Sequence, residues 1–417
     1  MAALSLLERL TRRHDEAWCR TALVQGTGLQ EVVDGVVREI GRCGPADLAL
    51  VFASSRFASD LPRLLPLLQQ RLRADHWLGC LGGGVVGTAA DGVPHEIEQD
   101  SALSVTLLHL PGTTLHPFAL GSEAETLPDL DGPAEPWLER VGSASTGVHS
   151  MLLLVDPTCP AINDLISGLD YAYPEAVKVG GLAAAHSAPH GSVLLDGEVR
   201  QGAVGCLLSG SWGLDAVVAQ GCKPIGPVLA VEQAQRNVVL QVSEGQRRSS
   251  PVAALQAILS GLSPEEREQV RHSLFLGVGQ SSFSLDHPGD PAFLVRNLIG
   301  VDPRNGAVAV GERMRVGQQV QFQLRDGEAS HSELCQLLDA QAQRHDAPLA
   351  ALLFACLGRG QGLHGRADGD VGPCRERFAQ LPIAGAFCQG EIGPVAGSTH
   401  LHGYTASLAF LVPRGDS

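Results

Sequence analysis

A repeated pattern, in which a strand-like run ends in a glycine-rich corner and a second strand follows, constrains the fold of this chain more than any single residue does. Near the C-terminus, the apolar run in residues 385–393 ends in small residues, and a second strand-like segment follows at residues 400–408. Two weaker copies of this pattern lie upstream, at 79–87 before 102–110 and at 179–186 before 202–208. We therefore expect a fold built from repeated units of strand, glycine corner and returning strand.

The rest of the chain alternates between helix-like and strand-like segments. Residues 29–42 have apolar side chains at helical spacing, and 47–53 form an apolar run typical of a strand buried on both faces. Residues 60–73 begin with an N-cap aspartate and an early proline, which favours a helix. Asp196-Gly197 after an apolar triplet predicts a β-hairpin. We predict a mixed α+β (α/β) fold of two related lobes, with mixed, partly parallel sheets and β-hairpins flanked by helices.

The length of 417 residues predicts more than one domain. Connectors rich in proline and glycine occur at 110–136, which we interpret as a surface loop, and at 221–227, a candidate boundary between halves. The predicted division is 1–226, 227–412 and a tail at 413–417.

Charge and cysteine usage exclude several classes of protein. The net charge of −15 argues against a nucleic-acid groove and against binding to an anionic membrane surface. No apolar run reaches 18 residues, so we expect no membrane insertion, and the arginines of 1–13 follow the apolar segment, the wrong order for a secretory signal. The ten cysteines lack a C-x-x-C pair and lie mostly in apolar runs. These features predict a cytoplasmic protein with reduced thiols.

A glycine-rich loop at 82–87 matches the pattern G-x-G-x-x-G of dinucleotide-binding folds. That function needs a helix to begin at the loop, and Pro94 with the preceding Asp-Gly pair breaks any such helix. Gly82 and Gly83 instead remain candidates for a loop that lets a ligand approach backbone amides.

Standard catalytic signatures do not occur in the sequence. His95-Glu96 begins a segment one residue short of the zinc-protease pattern H-E-x-x-H, and we interpret its charges as solvated. Neither a G-x-S-x-G elbow nor a phosphate-binding G-x-x-x-x-G-K-[ST] loop is found. We therefore do not expect an enzyme.

His400 and His402 alternate along a strand-like segment, which places both imidazoles on one face. They are adequate for two metal ligands, with a third from Glu391, Cys388 or His364. No second tight pair supports a metal, so solvated histidines are the alternative. We predict no metal and retain His402 as a candidate ligand contact.

Arg359 and Glu391 follow two successive strands and can face each other at one edge of a sheet. An arginine at a glycine loop suits a carboxylate or phosphate through two parallel hydrogen bonds. Two interpretations stay open: an ion pair that clamps two loops, or a site that binds both ends of an amino acid.

Several motifs together carry a resemblance to a known family. They are Phe354-x-Cys356-x-Gly358-Arg359-Gly360, Gly390-Glu391-Ile392, the segment 401–407, the Gly79-Cys80 loop, the strand at 101–110 and the segment 221–227. On these residues the chain resembles the FIST-domain family, with FIST N and FIST C halves spanning nearly the whole sequence.

This resemblance implies a sensory protein for signal transduction that binds small ligands such as amino acids. Members occur fused to signalling domains or alone in bacteria, and this chain has no room for such a fusion, so we expect a standalone sensor with a signalling protein partner. Lys223, in a segment where relatives often carry a basic residue, and Thr405, in the C-terminal motif, become candidate ligand contacts. Cys80 and Cys388, in the glycine-rich motifs, are candidate ligand contacts as well.

Three functions follow from these observations. The first is a cytosolic small-ligand-binding sensor with Arg359 and Glu391 as anchors and without a cofactor. The alternative is a haem-binding nitric-oxide sensor, since some relatives bind haem, although no motif here assigns a haem ligand. The second alternative is an enzyme with Cys388 or Cys80 as nucleophile.

Overall fold

In the computed structural model, one strand order occurs in three separate six-stranded sheets. The structure describes residues 16–121, 126–280, 293–345 and 347–414. The predictions for residues 1–13 and for residues 415–417 of the tail lie outside these ranges.

The chain forms three similar units. In units 1 and 2, the first strand of the unit pairs with the last strand of the same unit. Unit 1 comprises β1 (Trp18–Gln25), α1 (Leu29–Ile40), β2 (Ala46–Ser54), a 3-10 helix (Ser55–Asp60), α2 (Leu61–Gln69), β3 (Ala74–Gly82), β4 (Val85–Thr88), β5 (Pro94–Ile97) and β6 (Ala102–His109). Unit 2 comprises β7 (Thr113–Leu120), α3 (Glu135–Val141), β8 (Val148–Val155), α4 (Ile162–Ala172), β9 (Val177–Leu182), β10 (Val193–Leu195), β11 (Glu198–Arg200) and β12 (Ala203–Gly210).

Unit 3 has the same plan but is interrupted after its first strand, β13 (Trp212–Ala219). The insertion comprises β14 (Cys222–Pro224), β15 (Leu229–Gln235), β16 (Val238–Glu244), β17 (Arg247–Ser249), α5 (Pro251–Gly261), α6 (Pro264–Ser273), β18 (Leu274–Gly279), β19 (Phe293–Val301), β20 (Val308–Val310) and β21 (Gln319–Arg325). The unit then continues with α7 (Gly327–Arg344), β22 (Ala350–Cys356), α8 (Gly360–His364), α9 (Val371–Arg377), β23 (Ile383–Cys388), β24 (Gly390–Val395), β25 (Ser398–His402) and β26 (Ala406–Pro413).

Each sheet is built around one parallel pair, which is β2–β3, β8–β9 or β22–β23. The first and last strands of the unit add antiparallel strands on one side of the pair, and a hairpin adds two on the other. A helix or helices connect the two parallel strands, as a parallel crossover requires.

The hairpin of each sheet comes from another unit. The β4–β5 hairpin of unit 1 joins β23, the β10–β11 hairpin of unit 2 joins β3, and the β24–β25 hairpin of unit 3 joins β9. Every sheet is therefore completed by a neighbour, so the three units form one body rather than separable domains.

A close backbone contact explains why glycine recurs in these corners. The register places Gly79, Gly180 and Gly385 at the same position of the second parallel strand. A Cβ atom there would lie 2.1, 1.7 and 1.9 Å, respectively, from a carbonyl oxygen of the first parallel strand. Only glycine fits such a contact.

The core lies in layers that follow the three sheets. The inner faces meet in a central cluster that includes Phe52 and Phe354, whose rings are in edge contact at 6.0 Å. The outer faces are covered by α1 and α2 in unit 1, α3 and α4 in unit 2, and α7 and α9 in unit 3. Large buried apolar faces of this kind are the main stabilising contribution to the fold.

The insertion forms a closed antiparallel barrel with its own core. Its ring runs β21-β15-β16-β20-β19-β18 and closes through the pairing of β18 with β21. It leaves unit 3 after β13 and returns at α7, so the barrel lies beside the C-terminal unit.

The mixed α+β class is confirmed, as are the three predicted corners and the hairpin at Asp196-Gly197. The repetition extends to three sheets, where the sequence suggested two related lobes. The division at 226/227 stays a prediction, and in the structure it falls between β14 and β15. No helix in the described ranges is long and apolar enough to cross a bilayer.

One local prediction was wrong. The segment 110–136 was interpreted as a surface loop, but it contains β7, which pairs along its whole length with β12. β7 is an edge strand and carries Pro117, a residue that edge strands tolerate and that masked the strand pattern.

Candidate functional site

A cavity of about 670 Å³ opens where the barrel meets β25 and α4. A second cavity of about 420 Å³ shares Glu312, Arg313, Thr399 and His400 with it, so the two form one continuous groove. We call this the barrel groove. Its polar walls include Asn163, Arg296, Asn297, Arg313, Gln389 and His402.

Two imidazoles of β25 present unprotonated nitrogens at this groove. His402 is 4% exposed, and its Nε2–H donates to the carbonyl oxygen of Gly393 at 3.0 Å. Burial lowers the pKa of His402 to about 3, so the ring is neutral at physiological pH. Its Nδ1 therefore carries a lone pair, and that atom has no partner among the described residues.

His400 repeats this arrangement on the same strand. Burial lowers its pKa, and a hydrogen bond with the backbone of Val395 opposes that shift. Its buried Nε2 has no partner in the part of the chain that the structure describes. The two rings lie 6.1 Å apart, so the groove wall holds two neighbouring acceptors that a ligand or water must satisfy.

The charges of the groove leave an excess of arginine. Arg296 donates to Glu312 at 2.9 Å and to the carbonyl oxygen of Leu401 at 2.8 Å. Arg313 and Arg315 are exposed, and neither forms an ion pair within the described ranges. The groove is therefore locally basic in a chain of net charge −15.

Arg359 is buried next to Tyr404, in the turn that follows β25, and its guanidinium is paired inside the protein. Its guanidinium donates to both carboxylate oxygens of Asp370, at 2.8 and 2.6 Å, and to the carbonyl oxygen of Tyr404 at 3.2 Å. Burial opposes ionisation of Asp370, but Arg359 outweighs it and lowers the pKa of that carboxyl. The ion-pair partner of Arg359 is thus Asp370 and not Glu391.

Glu391 is fully buried at the start of β24. Its Oε2 accepts the backbone N–H of Thr405 at 3.1 Å, whereas its Oε1 has no hydrogen-bond partner in the described structure. Burial raises the pKa of Glu391 well above its usual value, and the Thr405 N–H and Arg359 only partly oppose this. The environment favours the protonated carboxyl.

The threefold repetition shows that the fold does not require an acid at this position. Strand register makes Glu391 of unit 3 equivalent to Val85 of unit 1 and Val193 of unit 2. All three side chains are fully buried. Glu391 also lies directly opposite His402, which belongs to the neighbouring strand β25, so the extra carboxyl lies beside the barrel groove.

The predicted cysteines and glycines lie in the body and pack the corners. Burial raises the pKa of Cys80 to about 12 and that of Cys388 well above its usual value. The N–H of Gly83 donates to the carbonyl oxygen of Phe387 at 2.9 Å, and a Cβ at Gly82 would lie 2.2 Å from a backbone oxygen. These glycines hold the β4–β5 hairpin against unit 3.

Lys223 lies in β14 of the insertion and pairs with Glu266 at 3.1 Å.

Of the predicted residues, the structure brings Arg359, Glu391 and Thr405 into one buried cluster, with His402 on its groove side. Ligand binding by any of the predicted residues stays a prediction.

The prediction for His95-Glu96 was wrong in one respect. Glu96 is 4% exposed, and its Oε1 accepts the N–H groups of Asp370 and Val371 at 2.8 and 2.7 Å. Burial raises its pKa to about 8. The cause is the exchanged hairpin, which carries Glu96 onto the first turn of α9 in unit 3, a contact that local sequence cannot show.

Sequence reasoning also missed Asp370, Arg296 and Arg313. Asp370 precedes a helix, which is an N-cap signal, but nothing in its motif connects it with Arg359. Arg296 and Arg313 belong to the insertion, and their approach to β25 depends on how the barrel docks.

Comparisons with known proteins cover most of the chain. The FIST N domain matches residues 47–244 and the FIST C domain matches residues 252–394. An uncharacterised protein of Mycobacterium tuberculosis is 34% identical over 381 residues, covering 88% of this chain and 92% of its own length. An uncharacterised protein of Mycobacterium bovis is 34% identical over 377 residues, covering 88% and 90%, respectively.

A crystal structure of a chorismatase aligns with 95% of this chain and 98% of its own at 10% identity. The TM-score of 0.31 is too low for anything to be transferred from that protein. The domain matches and the sequence relatives together show that this chain belongs to the FIST-domain family.

Proposed function

We propose that this protein is a cytoplasmic sensor that binds a small polar metabolite in the barrel groove. FIST domains suggest a sensory or signal-transduction role. The ten cysteines, all free, are compatible with a reducing compartment.

The observation that carries the proposal is the pair of buried imidazole nitrogens, at His400 and His402, that have no hydrogen-bond partner among the residues that the structure describes. Buried polar atoms are nearly always hydrogen-bonded, so each such atom at a cavity wall calls for a group that can satisfy it. A cavity of about 670 Å³ has the size of ordinary small-molecule sites.

A route from the groove to the rest of the molecule passes through Tyr404. This residue has a left-handed backbone, with φ 64°, between β25 and β26. The Arg325 guanidinium of the barrel lies 4.5 Å from the centre of its ring, and Phe275 contacts the ring at 5.0 Å. Its carbonyl oxygen accepts from Arg359. A ligand that moves the corner after His402 would thus change how barrel and body pack, which is the signal we propose for a protein partner.

The two alternatives have weaker physical support. A haem needs continuous walls that match the apolar faces of a porphyrin, whereas the aliphatic side chains of the groove are interspersed with amides, arginines and an acid, which fit that group poorly. A nucleophilic cysteine needs an accessible thiolate, whereas burial raises the pKa of Cys80 to about 12 and that of Cys388 well above its usual value. We therefore propose a binding protein rather than an enzyme.

The proposal is tested by thermal-shift screening with amino acids, sugars, organic acids and phosphorylated metabolites. We expect at least one compound to raise the melting temperature of the wild-type protein and to lose that effect in Arg313→Ala. Arg304→Ala is the matched control, because Arg304 is an exposed arginine of the same insertion that does not line the groove.

Two results would overturn the proposed function. One is that no compound of any class stabilises the wild-type protein. The other is that every stabilising compound acts equally on Arg313→Ala and on Arg304→Ala.

A further inference from the structure

We infer that the ligand of the barrel groove is a hydroxyl-bearing anion, a carboxylate or phosphate carried on an uncharged polyol, and not a zwitterion. This inference rests on the proposed function, because it names the class of ligand for the same groove. Three features of the groove walls carry it.

The first feature is an uncompensated positive charge. The two acids that line the groove are already paired: Glu312 with Arg296 at 2.9 Å, and Asp170 with Lys178 at 2.9 Å. Arg313 and Arg315 have no acidic partner within the described ranges, yet both line the groove. Guanidinium groups bind carboxylates and phosphates through charge-assisted hydrogen bonds, so this end of the groove suits an anion.

The second feature is the pair of neutral imidazole acceptors. The Nε2–H of His402 is committed to Gly393, which leaves Nδ1 able only to accept a hydrogen bond. A ligand that reaches this buried nitrogen must therefore offer it an N–H or O–H group. Arg296 donates to the carbonyl oxygen of Leu401, between the two histidines, and is itself paired with Glu312, so this wall carries no net negative charge that would attract an ammonium. The donor that fits best is an uncharged hydroxyl.

The third feature is a set of side-chain amides in the lining of the same groove. Asn163, Asn297 and Gln389 line the groove and are exposed, and no hydrogen bond of their side chains occurs in the described part of the chain. A side-chain amide offers both donors and acceptors, and each hydroxyl group can donate one hydrogen bond and accept others. Such walls match a chain or ring of hydroxyl groups better than an apolar body.

The inference is tested by melting curves with probes that differ in their charge and in the anionic group that they carry. D-gluconate carries a carboxylate, D-glucose 6-phosphate a phosphate, D-glucose no charge, and glycine and L-serine a zwitterion. We expect D-gluconate or D-glucose 6-phosphate to raise the melting temperature of the wild-type protein, and the stronger of the two identifies the anionic group.

The matched variants are Arg313→Ala/Arg315→Ala and Arg304→Ala, all at exposed positions of the insertion. Loss of two charge-assisted contacts should raise the concentration needed for half the effect by roughly tenfold or more in the double variant. Arg304→Ala should respond as the wild-type protein does.

Three results would overturn the inference. Glycine or L-serine could stabilise the protein more than D-gluconate and D-glucose 6-phosphate do, with the same dependence on Arg313 and Arg315. In that case the ligand class is wrong, although the groove remains the site. D-glucose could match the charged probes, which would remove the need for an anion.

Sodium sulfate at equal ionic strength could also reproduce the full effect. That result would show that anion binding alone explains the response. If none of these probes and no compound of the wider screen has an effect, the proposed function fails together with the inference.

Discussion

At the scale of single residues, the most informative side chain is Glu391. Two equivalent positions in the same molecule hold Val85 and Val193, so the molecule itself shows what the fold needs there. An acid with one unpartnered oxygen in that place has a desolvation cost that a valine avoids. Costs of this kind often mark function, and Glu391 lies next to the groove.

We predict that Glu391→Gln makes the protein less sensitive to alkaline pH. The pKa of Glu391 is raised in the folded state above the usual 4.5, so folding takes up a proton. That contribution to stability is complete below pH 4.5 and is lost as pH rises toward the folded-state pKa. Urea unfolding at pH 5 and pH 8 should therefore show a smaller loss of unfolding free energy in the variant.

The matched control for this experiment is Glu328→Gln, at an exposed glutamate of α7. It should leave the pH dependence of the wild-type protein unchanged. An identical pH dependence in wild-type protein and Glu391→Gln would show that Glu391 is not held protonated.

At the scale of elements, the strand-to-glycine corner is the unit that the chain repeats. Its position is predictable from sequence because the apolar run and the glycines are local signals. The physical cause is not local, since it is the carbonyl oxygen of a neighbouring parallel strand.

We predict that Gly180→Ala destabilises the protein by roughly 3 kcal/mol or more, because the added Cβ overlaps the carbonyl oxygen of Leu153. Gly372→Ala is the matched control, at a helical glycine of α9 where a Cβ meets no atom within 4 Å. It should be neutral or stabilising by about 0.5–1 kcal/mol. Equal effects of the two substitutions on urea unfolding would contradict the close contact.

Other elements show where prediction from sequence ends. The helix at 29–42 and the hairpin at Asp196-Gly197 follow from spacing and turn chemistry, and the structure has both. The strand β7 was missed because Pro117 and an edge position weaken its pattern. The burial of Glu96 was missed because its partners lie 274 and 275 positions away in the chain.

At the scale of the whole molecule, the exchange of hairpins joins the three units into one body. The four tryptophans are spread over all three units, with Trp18 and Trp77 in unit 1, Trp137 in unit 2 and Trp212 in unit 3. No local pattern in the sequence states which sheet a hairpin will join, so this feature was beyond prediction.

We predict that the three units unfold in a single transition. Three variants would each keep one tryptophan, either Trp77, Trp137 or Trp212. They should share one fluorescence midpoint in urea after correction for the stability of each variant, which circular dichroism measures. Separate midpoints for the three probes would show that the units unfold independently.

The same scale explains why the candidate site was only partly predictable. His402, Arg359 and Glu391 are visible as polar residues in glycine-rich corners. Arg296 and Arg313 belong to an insertion, and only the docking of the barrel brings them to β25. The sequence indicated the body side of the site, and the structure added the opposite wall.

The most direct test of this account is a nitrogen NMR titration of protein labelled with ¹⁵N-histidine. Without ligand, the Nδ1 of His402 should resonate as an unprotonated nitrogen, because burial lowers the pKa of that ring to about 3. On addition of a compound that stabilises the protein, the ring nitrogens of His400 and His402 should shift. Those of His116, which bonds to Val141 outside the groove, should not. Shifts at His116 or elsewhere, with His400 and His402 unchanged, would contradict ligand binding in the barrel groove.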